Sequence, residues 1–466
     1  MNPDQITLPA PAPEPPAERR ARSLWRNMLF LLLLLLFLPL GRPASRAEQG
    51  EAELQWRLMM ARLGARIAGI SLEYPEFASM TRDFAQQALD QYLLALELRP
   101  GDRKVRAAAA IMYGYLNRQP EAADLITVAL RQHPGDRALY LMLLYYVGEQ
   151  PRPGWAADPD LRRLLSGVTP APIFRAGLYE GIGMLPLADK AREQAAEVAV
   201  ATTLRVGAVL AIYLAGFLAA LVLVILALAG RRWWGTGRLP LLPWGPAAGV
   251  QVVIALLVLQ VALSLAAAGI HPRGTLGQVV LAEAIYLLAA LGGLVALASL
   301  GLGLREILVA AGWRAPGWAK QAWRGLGGLA VALPVVAVAA LANRFLLSEQ
   351  PPSSPIIVLL ARMHNPWALG LLFVLVIGIA PVVEEMVFRG ILYGGLRQRW
   401  PLWPAALASG LIFALVHIQP VALLPLFVLG VALALLYERS GGSLVPPVVA
   451  HALFNCLSTL FVLTLR

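Results

Sequence analysis

From Gly207 to the C-terminus the chain is a succession of apolar runs, each close to twenty residues long. A helix of that length matches the hydrocarbon thickness of a bilayer, and within lipid a spanning helix keeps its backbone polar groups paired. The runs predict spans at roughly 207–229, 248–270, 277–302, 325–346, 367–388, 402–418, 421–437 and 446–464. Composition points the same way, because 58% hydrophobic residues against 14% charged lies outside the soluble globular range. The net charge of +11 sits mostly beside spans or in the water-soluble segment, so it reports orientation and implies no nucleic-acid partner. The single cysteine, Cys456, lies within an apolar run, so no internal disulfide is possible.

The N-terminal half has a different character. Residues 1–26 are rich in Pro and Arg without periodicity and read as a disordered basic tail. Residues 27–41 carry an apolar core of signal-peptide length, followed by the passable cleavage site Ala44-Ser-Arg-Ala47. The long basic region ahead of that core favours an uncleaved signal anchor. Residues 48–200 intersperse charges among Ala and Leu at helical spacing, with no run long enough to span, and predict a soluble helical domain. Within it LELRPGDR (Leu96 to Arg103) returns as LRQHPGDR (Leu130 to Arg137), displaced by 34 residues. The period and the paired small and large residues resemble tetratricopeptide repeats, with Pro ending one helix and Asp capping the next. Such a domain would bind a protein partner; its residues show no catalytic constellation. If the tail is cytoplasmic, the basic loops near Arg231-Arg232, Arg305 to Arg324 and Arg389 to Arg399 are cytoplasmic, and 48–200 is external.

Polar residues within the spans narrow the function. From Gly207 onward there is no aspartate, which removes an aspartyl intramembrane protease. No HExxH and no GxSxG occur, and Ser409 in Ala408-Ser-Gly410 reads as a small packing residue. The run WALGLLFVLVIGIA leads instead directly into PVVEEMVFRG, residues 381–390. An ionised acid near the bilayer centre costs about 2.5–3.5 kcal/mol on insertion scales, so two adjacent ones demand a reason. On a helix Glu384 and Glu385 point about 100° apart. Arg389 follows Glu385 by four residues, the spacing at which an acid and a base pair. That division pins Glu385 structurally and leaves Glu384 facing a cavity, where it can take a proton from water. His417 closes a later run, and His451 and Asn455 share one helix face at i and i+4. An acid, two imidazoles and an amide supply what peptide hydrolysis needs, namely a base for water and donors for the oxyanion. Glu283, alone in its run, reads as a satisfied group between helices, and Trp233-Trp234 as an interfacial anchor.

EExxxR (Glu384, Glu385, Arg389), FxxxH (Phe413, His417) and HxxxN (His451, Asn455), in that order on successive apolar segments, resemble the type II CAAX prenyl endopeptidase and bacteriocin-processing (Abi) family. The resemblance covers roughly Trp367 to Leu463 and includes Gly390 after the arginine. It implies Glu384 as the water-activating base with His417 assisting, His451 and Asn455 as oxyanion stabilisers, and Glu385 with Arg389 as the supporting pair. It implies an intramembrane endopeptidase acting on a membrane-associated protein or peptide. The family is described both as metalloproteases and as glutamate proteases. Glu384, His417 and His451 would make a zinc site with an open position, whereas Asn455, a poor zinc ligand, tilts the reading to a cofactor-free enzyme.

The expected architecture is all-α: a polytopic bundle in the cell membrane, bacterial inner or plasma membrane, with about eight C-terminal spans, one N-terminal span and a soluble helical-repeat domain. Residues 205–350 would form accessory spans and 365–464 the protease core. Two rivals come from other classes. One is a non-catalytic scaffold or immunity protein that binds through its repeats; the other is a transporter with Glu283 and Glu384 in a proton relay, which predicts inverted repeats that the spans do not show.

Overall fold

The computed structural model describes residues 46–73, 78–149, 172–181, 183–228, 239–267, 269, 270, 272, 274–299, 301–313, 317–346, 360, 365–417, 419 and 422–465. The tail 1–26, the expected anchor 27–41 and the Trp233-Trp234 pair lie outside the described residues. The fold is all-α, and no strand occurs among the described residues. They form two compact units.

Among the described residues the first unit takes 46–212, with Leu360 and 459–465. It holds α1 (Arg46–Glu73), α2 (Ala78–Leu98), α3 (Arg103–Tyr115), α4 (Gln119–Gln132), α5 (Arg137–Val147), α6 (Pro172–Gly181) and the first part of α7 (Leu185–Leu228). Each of α1 to α4 packs on its successor. Alanine lets the helices approach, since Ala61, Ala65, Ala85, Ala95, Ala109 and Ala122 are fully buried. The two Pro-Gly-Asp turns are built alike. Asp102 caps α3 by accepting from the amides of Lys104 (3.0 Å) and Val105 (3.2 Å). Asp136 caps α5 by accepting from Ala138 (3.0 Å) and Leu139 (3.2 Å). Arg103, the first residue of α3, forms an ion pair with the carboxylate of Asp136 at the next turn.

The second unit takes the rest of α7, then α8 (Pro246–Ala266), α9 (Gly274–Ala298), α10 (Leu304–Ala311), α11 (Trp318–Leu346), α12 (Pro366–Arg397), α13 (Leu402–Val416), α14 (Leu423–Arg439) and α15 (Val445–Leu465) as far as Ser458. Five of the described helices are long and apolar enough to cross a membrane: Pro246–Ala266, Leu276–Ala298, Trp318–Asn343, Pro366–Arg397 and Val445–Leu463. The chain is a multi-pass helical membrane protein. Within this unit α8 pairs with α9 and lies along the second half of α12, α11 packs on α14, and α13 packs on α14.

Two departures from simple spans shape the centre of this unit. The segments expected at 402–418 and 421–437 form α13 and α14, of 15 and 17 residues, about 22 and 26 Å long at the usual rise against about 30 Å of hydrocarbon. They make a short hairpin. Its helices touch at Gly410 and Gly430, where a Cβ on Gly430 would come within 2.8 Å of the Gly410 Cα.

The span expected at 367–388 is in fact the 32-residue helix α12. Its ladder widens to π geometry over Val374–Ile379 and again over Met386–Tyr393, on either side of the α-helical turn Ala380–Glu385. Pro381 at the start of that turn has no N–H to give the ladder, which favours a break there. Side chains from other elements satisfy carbonyls of the widened stretches. Asn455 Nδ2 donates to Val376 O (2.9 Å), Ser409 Oγ to Phe388 O (3.1 Å) and Trp244 Nε1 to Ile391 O (3.2 Å). Gly390 lies in the second stretch, where a Cβ would meet Ala311 Cβ of α10 at 2.8 Å.

Gly430→Ala tests the hairpin. Overpacking typically costs about 1–3 kcal/mol, so the melting temperature in detergent should fall. Gly370→Ala, whose added Cβ meets nothing within 4 Å among the described residues, should melt no lower than the wild type.

Candidate active site

The turn Ala380–Glu385 carries both carboxylates, and the helix sends them to different surroundings. Glu385 and Arg389 are fully buried and joined by Nη1 to Oε1 at 2.8 Å. Burying two charges costs several kcal/mol per ion unless further polar partners complete them. Two helices supply part of that set, while Glu385 Oε2 and Arg389 Nε have no hydrogen-bond partner among the described residues. His451 Nδ1 on α15 lies 2.8 Å from the same Glu385 Oε1, and Arg389 Nη2 donates to the carbonyl of Gly430 on α14 (3.3 Å). The guanidinium also stacks over the Phe413 ring of α13, 4.4 Å from its centroid. One ion pair thereby touches α12, α13, α14 and α15.

Glu384 lies on the adjacent face, 17% exposed. Its Oε2 is 3.8 Å from His417 Nε2 and 3.8 Å from His451 Nε2. Its Oε1 accepts from the hydroxyl of Tyr286 on α9 at 3.3 Å. Phe413 spaces the two imidazoles, in edge contact with both His417 (4.7 Å) and His451 (5.7 Å).

The far side of each ring fixes its proton. His417 Nδ1 is 2.6 Å from the carbonyl of Phe413, which can only accept, so Nδ1 carries hydrogen. His451 Nδ1 faces the Arg389-paired carboxylate of Glu385, so it donates too. In the neutral rings both Nε2 atoms then present lone pairs to Glu384 Oε2, a buried atom with no hydrogen-bond partner among the described residues. Three acceptors facing one another require a shared proton, a water or a cation between them. Among the described residues no three His, Cys, Asp or Glu side chains are spaced as a formed metal site. The donor chemistry of Glu384 Oε2, His417 Nε2 and His451 Nε2 nevertheless suits zinc.

Of the six residues singled out in the sequence, Glu384, Glu385, Arg389, His417 and His451 come together here. Asn455 lies one turn beyond His451, and its amide donates to Val376 in the first π stretch. Ser409 is buried and bonds a backbone carbonyl, in keeping with a packing role. Glu283 is also buried, but its Oε1 has no hydrogen-bond partner among the described residues, unlike the satisfied group expected. Sequence reasoning missed Tyr286. Its only signal was a hydroxyl three residues after Glu283 in an otherwise apolar run.

A partly buried carboxylate with two converging imidazoles, among helices of membrane-spanning length, is an arrangement that can hold and polarise a water. Residues 365–457 match the family described as type II CAAX prenyl endopeptidase Rce1-like, so the C-terminal segment carries an Rce1-like domain. Two curated proteins are similar to parts of the chain. An Escherichia coli protein described as "Uncharacterized 24.3 kDa protein" is 39% identical over 88 residues, 18% of this chain and 40% of the relative. The Bacillus subtilis (strain 168) protein named "Putative membrane peptidase YdiL" is 35% identical over 77 residues, 16% of this chain and 31% of the relative. The chain thus spans well under half the length of these relatives. No solved structure matches it.

Arg389→Met leaves the Glu385 carboxylate buried without its guanidinium and with only the His451 imidazole beside it, a loss of about 3–5 kcal/mol. The yield of monodisperse protein after detergent extraction should collapse. The pair Glu385→Gln with Arg389→Met, which removes both charges, should recover much of that yield.

Proposed function

We propose that the C-terminal domain is an intramembrane endopeptidase that hydrolyses a peptide bond of a membrane-associated protein or peptide with water activated by Glu384. The observation that carries this reading is Glu384 Oε2, buried, without a hydrogen-bond partner among the described residues and 3.8 Å from both imidazole Nε2 atoms. A water placed among them gives its proton to Glu384 as its oxygen attacks the scissile carbonyl carbon, with His417 holding the second hydrogen. The oxyanion needs donors. His451 becomes one when its Nε2 is protonated, a positive charge that Glu385 at Nδ1 stabilises, and the second amide hydrogen of Asn455 is another. Glu384 then returns the proton to the leaving nitrogen as the C–N bond breaks, yielding a carboxylate and an amine.

A zinc-dependent version rests on the same three atoms, Glu384 Oε2, His417 Nε2 and His451 Nε2. A metal held there would polarise water as a Lewis acid. In either version the membrane supplies substrate, and prenylated CAAX-type proteins are the candidates the family suggests. Residues 48–200 are proposed as an external, tetratricopeptide-like module for a protein partner, with 205–350 as accessory spans.

Membrane peptidomes of wild type and Glu384→Gln should differ by a discrete set of peptides that only the wild type releases. Glu384→Ala and His417→Ala, expressed at the wild-type level, should lose whatever phenotype the wild-type protein restores to a deletion strain. A scaffold or immunity protein would keep it. Metal analysis of the purified protein with 1,10-phenanthroline inhibition separates the two versions, since the zinc enzyme loses metal and activity together.

A further inference from the structure

We propose that Tyr286 is a positioning residue that decides which oxygen of Glu384 acts on water, so that an accessory helix completes the site. The inference rests on the reading of Glu384 as the activating carboxylate. Tyr286 belongs to α9, outside the segment 365–457 matched by the family. Its hydroxyl donates to Glu384 Oε1 at 3.3 Å, while Oε2 is left facing the two Nε2 atoms at 3.8 Å.

The terminal torsion of a glutamate is broad and roughly two-fold, so a carboxylate without partners presents either oxygen over a wide arc. Inside an apolar bundle it also lacks the water that would otherwise solvate both. A phenol carried by a packed helix answers both needs with one bond. It anchors Oε1, fixes the carboxylate plane and leaves Oε2 as the atom free to take a proton. Glu385 is also anchored at its Oε1, by Arg389 and His451, but it is fully buried, whereas Glu384 is 17% exposed and faces both Nε2 atoms. The C-terminal segment alone would therefore carry an incompletely oriented base.

The test uses the full-length protein in nanodiscs and two readouts. The first is the rate at which dicyclohexylcarbodiimide, an apolar carboxyl reagent, modifies Glu384, followed by peptide mass spectrometry. In Tyr286→Phe the freed oxygen should react about tenfold faster, the low end of what a hydrogen bond to a charged group is worth. The second is cleavage of an internally quenched peptide bearing farnesyl-cysteine followed by three apolar residues. In Tyr286→Phe kcat should fall about tenfold with KM unchanged. If Tyr286→Phe does not fold, 3-fluorotyrosine at position 286 keeps the shape and strengthens the donor, and labelling should slow. Unchanged labelling in the folded variant overturns the inference whatever the peptide assay gives. Shifted labelling together with a wild type that leaves the peptide intact overturns instead the substrate reading and leaves the role of Tyr286 standing.

Discussion

The ion pair between Glu385 and Arg389 is the constraint on which the candidate site depends. Both groups are wholly excluded from solvent, so their charges must be answered by protein alone. The answer comes from three other helices: a backbone carbonyl at Gly430, an imidazole at His451 and an aromatic face at Phe413. The glycine contact between α13 and α14 follows from this, because the carbonyl that accepts Arg389 sits where the two backbones touch. The same His451 that completes Glu385 turns its other nitrogen toward Glu384. Structural support and proposed chemistry are thus two sides of one ring.

Helix irregularity brings the remaining groups to a common depth. In a regular crossing His417 would lie at the far end of its span and His451 near the opposite end of the last one. Instead α13 is only 15 residues long and ends at His417, with its Nδ1 turned back onto the Phe413 carbonyl. Helix α12 widens on both sides of the glutamates, and side chains of Trp244, Ser409 and Asn455 bond carbonyls in those stretches. Non-helical or widened backbone is tolerated within a membrane when protein groups satisfy it. The fold spends side-chain donors to place one turn of helix correctly.

How much of this could be read from the sequence depends on the range of each interaction. Glu385 with Arg389 is local, four residues on one helix, and its pairing was legible from spacing alone. The all-α membrane character followed from the length of the apolar runs. The convergence of Glu384, His417 and His451 was legible through the order of the motifs, since their separation along the chain carries no distance. Asn455 was legible as a neighbour of His451, but its bond to Val376 was hidden, because nothing in VLVIGI announces a widened ladder. Tyr286 was hidden for a related reason: it reaches Glu384 across 98 residues, from a helix that carries no motif. The helices at 402–416 and 423–439 looked like full spans because hydropathy counts apolar residues and is blind to where a helix stops.

The N-terminal unit shows local consistency of another kind, two aspartate caps and two turns of the same build, separated by the same interval as the sequence repeat. The most direct measurement for the central claim is a solid-state NMR dephasing experiment on protein labelled with 15N-histidine and 13C-carboxyl-glutamate. The His417 signal, assigned by its loss in His417→Ala, should be dephased by a glutamate carboxyl, and that dephasing should vanish in Glu384→Gln while His451 keeps its coupling to Glu385. A His417 ring with no glutamate carboxyl in range in the native protein would contradict the account.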